Sequence, residues 1–144
     1  MLLVDDSDFN LQIVIFLIKE LFEIELQLAS DGLQAFNAFK EAYEKECGCQ
    51  NRGYRLIFMD INMPVMDGYE STEKILAYLK ERGDEDYTHI VALSSFEGES
   101  VMKRCLKVGM KDKLTKPLHS GDLQRIIYEH HYRIAPDEYE AKFP

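Results

Sequence analysis

The sequence is poor in cysteine, with three in 144 residues: Cys47, Cys49 and Cys105. A sparse, odd set excludes a disulfide scaffold and suits a reducing, cytoplasmic compartment. Long hydrophobic runs are missing too. The longest, Ile13 to Ile18, falls far short of the roughly 20 residues that span a bilayer, so no membrane contact is expected of this domain. The opening residues show no basic-then-apolar leader pattern. Positive charge is scarce: 17 Lys and Arg stand against 26 Asp and Glu, a net −9 that argues against a grip on nucleic acid. No repeat of solenoid length is present. What is there is ordinary for a folded domain, 46% hydrophobic and 30% charged. A chain of this size buries roughly 70% of its unfolded surface around one core.

Periodicity alternates along the chain. Met1 to Val4, Leu56 to Met59 and Ile90 to Leu93 are short, continuous apolar runs, as expected of strands buried on both faces. Ile24 to Leu28 alternates like a half-buried strand, and a short strand is expected around Lys113 to Thr115. Between them lie amphipathic helical patterns. Ser7 or Asp8 caps one that carries Leu11, Val14, Ile15 and Ile18, and Ser30-Asp31 starts one that carries Ala35, Phe36, Phe39 and Tyr43. Asp67 and Glu70 have capping-box spacing ahead of Thr72, Ile75, Leu76 and Leu79. Val101, Met102, Cys105 and Leu106 mark a helix stopped by Gly109, and Ser120 caps a last one carrying Leu123, Ile126, Ile127 and His130. Five strands alternating with five helices predict an α/β fold, a doubly wound parallel sheet with helices on both faces.

Four polar groups fall at the carboxyl ends of these strands: Asp5-Asp6, Asp60, Ser94 and Lys116. In a doubly wound sheet that edge is where ligands bind. Three carboxylates at close quarters repel one another, and a hard divalent cation with oxygen ligands, Mg²⁺ or Mn²⁺, relieves this. Such an ion, with Lys116 and Ser94, could neutralise a phosphoryl group while one carboxylate acts as nucleophile.

These motifs resemble, in order, the receiver domain of two-component response regulators, most closely that of hybrid histidine kinases. Val4-Asp5-Asp6 is similar to the paired acidic motif. Met59 to Gly68 is similar to the phosphoacceptor segment, Ala92-Leu93-Ser94-Ser95 to the switch motif and Leu114-Thr115-Lys116-Pro117-Leu118 to the Lys-Pro motif. The resemblance spans residues 1 to about 132, with 133–144 left as an acidic tail or linker, and the chain is expected to be a domain of something longer. It implies a flavodoxin-like receiver fold with a five-stranded parallel sheet of order 2-1-3-4-5. Asp60 would accept a phosphoryl group from a phosphohistidine donor, a histidine kinase or histidine phosphotransfer domain. Asp6 and Asp60 would bind the metal by side chain, Asn62 by its carbonyl and Asp5 largely through water. Ser94 would sense the phosphoryl group and Lys116 would pair with it. With no DNA-binding segment in view, output is expected to pass to a protein.

One position departs from the family. Lys113 stands where receivers often carry a rotating aromatic, and its ammonium is expected to stay in solvent. Ser95 is small enough to leave the phosphoryl path open, and Phe96 is placed to shield it from water. A different class, an Asp-nucleophile phosphatase or phosphotransferase of haloacid-dehalogenase type, is weakly suggested by Asp60-Ile61-Asn62. That class places its nucleophile after the first strand and needs a cap. A flavin module needs a phosphate loop, and residues 5–10 hold no glycine. Cys47-Gly48-Cys49 lacks a second ligand pair for zinc, and His130-His131 suits a helix C-terminus.

Overall fold

The computed structural model describes residues 1–45, 53–96, 98–135 and 137–138. Five parallel strands, β1 (Leu2–Val4), β2 (Gln27–Ala29), β3 (Leu56–Asp60), β4 (His89–Ser94) and β5 (Asp112–Thr115), form one sheet in the order β2-β1-β3-β4-β5. Helices α1 (Asp8–Leu21), α2 (Gly32–Glu44), α3 (Gly68–Glu81), α4 (Glu99–Val108) and α5 (Ser120–Ile126) make the crossovers and cover both faces.

The continuous apolar runs split by alternation. Leu2, Val4, Ile57, Met59, Ile90 and Ala92 turn to one face, where Phe39, Ile75, Leu79 and Cys105 pack on them from α2, α3 and α4. Leu3, Leu56, Phe58, Val91, Leu93 and Leu114 turn to the other, against Leu11 and Ile18 of α1 and Leu123 and Ile126 of α5. A strand covered on both sides has no face left for polar residues, and this is why its sequence shows no alternation. Local chemistry sets the helix starts. The side chains of Ser7, Asp31 and Asp67 accept hydrogen bonds from the backbone N–H groups of Asn10, Gln34 and Glu70. Gly109, at φ 104°, closes α4 in the left-handed conformation.

Some expectations shift. The second strand begins at Gln27 rather than Ile24, because this edge strand pairs only with the three residues of β1. Ile24 and Leu26 instead pack, half-buried, on the α1–α5 core. The last helix starts after His119, with no side-chain cap from Ser120. Beyond Ile126 it widens into a π-helical turn, Ile127–His131. In α4 only Cys105 is buried, and Leu106 faces outward. The apolar run in α1 is likewise divided. Val14 and Ile18 face the core, while Phe9, Ile13 and Phe16 are exposed. The loop expected from Cys47 falls largely outside the described residues, as does most of the expected tail. Among the described residues, no helix is long and apolar enough to cross a membrane.

Candidate functional site

The strand ends deliver the expected acids to one place. Asp5 leaves β1 with its N–H donating to the Ala29 carbonyl, and its buried carboxylate turns inward. Its Oδ1 accepts from the Ser7 N–H at 2.9 Å and its Oδ2 from Lys116 Nζ at 2.9 Å. Asp60 ends β3, also buried. Its Oδ1 accepts from the Asn62 N–H at 3.1 Å and its Oδ2 from Lys116 Nζ at 3.3 Å. Asp6 is exposed beside them, and carboxylate oxygens of Asp5, Asp6 and Asp60 lie within 4.8 Å of one another.

Burial dominates the electrostatics. It pushes the Asp60 carboxyl up to about 6, against the Asn62 N–H and the Lys116 ammonium, which pull it down; Asp5 adds to the rise. Burial also lowers Lys116, but its contacts with Asp5 and Asp60 outweigh that, so the ammonium is held more firmly than usual. A buried carboxylate that resists ionisation beside two others is a site that favours an added cation. The donors are all oxygen, which suits a hard divalent ion.

Backbone approach tightens the site. A Cβ on Gly68 would collide with the Asp60 carbonyl oxygen and crowd Ile61. The Gly68 N–H instead donates to Ile61 O at 3.2 Å, seating the start of α3 under the end of β3. In residue order Gly68 is only the last position of the phosphoacceptor-like segment, and this close approach does not show there. Its signal was its place right after the cap Asp67.

Ser94 ends β4, buried, but its hydroxyl is turned toward the following loop. Oγ donates to Phe96 O at 3.0 Å and accepts from Phe96 N–H at 3.0 Å. Lys113 keeps its ammonium at the exposed surface, and there its Nζ also donates to the same Phe96 carbonyl at 3.3 Å. The adjacent parallel strands explain this. Ala92 pairs with Lys113, so the long side chain can run along the sheet edge to the loop that leaves β4. Phe96 itself is 61% exposed, so its ring is not folded over Asp60 as a shield.

A parallel sheet that gathers carboxylates and a lysine at its carboxyl edge defines a class, the α/β proteins that handle phosphoryl groups at strand ends. The comparisons narrow it. The profile of the response regulator receiver domain matches residues 1–128. The osmosensing histidine protein kinase SLN1 of Saccharomyces cerevisiae is 37% identical over 133 residues, which cover 89% of this chain and 10% of that kinase. Among solved structures, the Saccharomyces cerevisiae Ssk1 receiver domain, co-crystallised with the histidine phosphotransfer protein Ypd1, aligns with a TM-score of 0.79 at 29% identity, covering 94% of this chain and 91% of that one. The receiver domain of the Arabidopsis thaliana histidine kinase CKI1, complexed with Mg²⁺, aligns at 0.78 and 30% identity, covering 89% and 88%. The chain belongs to the response regulator receiver domain family of two-component phosphorelay signalling, and it spans about a tenth of the length of the SLN1 kinase.

Proposed function

We propose that Asp60 is the phosphoacceptor of this receiver. The observation that carries the reading is the convergence of Asp60 Oδ2 and Asp5 Oδ2 on one ammonium, Lys116 Nζ, at 3.3 and 2.9 Å, with Asp6 alongside. An Asp60 carboxylate oxygen attacks the phosphorus of a phosphohistidine. The P–N bond breaks as the P–O bond forms, and the donor imidazole leaves with the electron pair and takes up a proton. Lys116 changes partner from carboxylate to phosphoryl oxygen, and Ser94 supplies a hydroxyl once it releases Phe96. Asp5, Asp6 and Asp60, with the Asn62 carbonyl, would hold Mg²⁺ or Mn²⁺, which neutralises phosphoryl charge when bound.

The donor is a histidine phosphotransfer domain or a histidine kinase, and the setting is the cytoplasm. The exposed Phe9, Ile13 and Phe16 of α1 support the protein donor. Phe9 and Ile13 line a cleft of about 410 Å³ that reaches Asp5 and Lys116, so a partner docked there lies next to the acceptor. Incubation with acetyl phosphate and Mg²⁺, read by intact mass, tests the reading. One added phosphoryl group in the native chain and none in Asp60→Asn is expected; equal labelling overturns it.

A further inference from the structure

At the other edge of the sheet, where β4 and β5 begin, a second group of ligating side chains meets. Asp112 opens β5, and its Oδ1 accepts from the Lys113 N–H at 2.8 Å, leaving Oδ2 directed elsewhere. Glu129 and His130 come from the π-helical turn Ile127–His131. Ligating atoms of Asp112, Glu129 and His130 lie within 4.8 Å of one another, all half-buried. His130 Nε2 stands 3.6 Å from Glu129 Oε2. Two ligands at zinc-bonding distance with tetrahedral geometry are about 3.4 Å apart, so this pair needs little adjustment.

Two further contacts speak to what belongs between them. The carboxylates already converge on a cation: Arg125 NH1 lies 3.2 Å from Glu129 Oε2 and 3.6 Å from Asp112 Oδ2. Its side chain is 43% exposed, so it is free to swing outward. Behind the cluster, His130 Nδ1 lies 3.0 Å from His89 Nδ1, so one ring must donate and the other accept. With His130 as donor, its Nε2 lone pair faces the carboxylates, the arrangement of an imidazole ligand oriented by an outer hydrogen bond. Arg133, the other guanidinium near these rings, is bound to the carbonyls of His130, Asp86 and Tyr87.

We propose that Asp112, Glu129 and His130 form a second cation site that takes Zn²⁺ in preference to Mg²⁺, with Arg125 as the competing internal cation and His89 as the residue that orients His130. Two carboxylates and a neutral imidazole balance the charge of the ion, and a nitrogen ligand shifts preference toward a borderline metal. Bound there, zinc ties the start of β5 to the turn after α5. The proposal is independent of phosphorylation at Asp60.

Calorimetric titration of the full chain with Zn²⁺ tests it. Saturating Mg²⁺ is present to fill the acidic site, and Cys47 and Cys49 are replaced by Ser to remove thiolate binding. One Zn²⁺ per chain is expected. His89→Phe weakens it by roughly 10- to 100-fold, the usual effect of losing an orienting partner, and His130→Gln weakens it further. Arg125→Gln tightens it. Co²⁺ in place of Zn²⁺ gives visible absorption bands that His130→Gln abolishes. Retained stabilisation by Mg²⁺ shows that each variant is folded. No Zn²⁺ binding under Mg²⁺ overturns the proposal, as does unchanged affinity in His130→Gln or equal or weaker affinity in Arg125→Gln.

Discussion

The two edges of the sheet gather acids in different ways. At the carboxyl edge, Asp5 and Asp60 are buried and share the ammonium of Lys116, and every other donor is an oxygen. At the amino edge, Asp112 and Glu129 are half-buried, share the guanidinium of Arg125 and have an imidazole beside them. Depth decides what each can do. A buried carboxylate that resists ionisation gains much from a compact, hard cation and from a reactive phosphoryl group. A half-exposed pair already balanced by arginine gains only from an ion that binds nitrogen as well. Under the two proposals, like residues would serve transfer at one edge and fastening at the other.

The largest expected effect separates the edges outright. Asp60→Asn abolishes labelling by acetyl phosphate, whereas Asp112→Asn leaves it intact; labelling lost in both, by intact mass, breaks the comparison. Next comes Gly68→Ala, which forces a methyl into the Asp60 carbonyl. It should destabilise by about 3 kcal/mol and lower Mg²⁺ affinity, as measured by denaturant unfolding and Mg²⁺ titration. A near-neutral result would show that the start of α3 is not seated as tightly as its contacts indicate.

Arg133→Ala acts on the amino edge alone. It removes three bonds to carbonyls and should cost about 1–2 kcal/mol, with labelling of Asp60 unchanged. A change in labelling rate would show that the edges are coupled. The smallest effect concerns Lys113. Ser94 and Lys113 hold one carbonyl, Phe96 O, so removing the lysine loosens the loop that Ser94 must leave. Lys113→Ala is expected to change the beryllofluoride dependence of partner affinity by a few-fold, about 1 kcal/mol, in calorimetry. Ser94→Ala should change it more. The reverse order would move the switch from the serine to the lysine.

The α/β alternation, the two-sided burial of β1, β3 and β4, and the caps at Ser7, Asp31 and Asp67 were all legible in residue order. Each rests on chemistry within a few residues: apolar runs that permit no polar face, and short side chains that satisfy a nearby N–H. The acids of the site were legible too, because a strand end is marked by where its apolar run stops. Three things were decided only by the tertiary structure. The length of β2 depends on the three residues of β1 across the ladder, not on its own alternation. The hold of Lys113 on Phe96 O depends on register, which pairs Ala92 with Lys113 and brings the lysine beside the loop after β4. The meeting of His89 with His130, and of Asp112 with Glu129, depends on a π-helical turn folded back under two strand starts. Sequence settles what each stretch prefers next to its own neighbours; contacts between residues far apart in the chain are set by packing, where the geometry of one element limits the next.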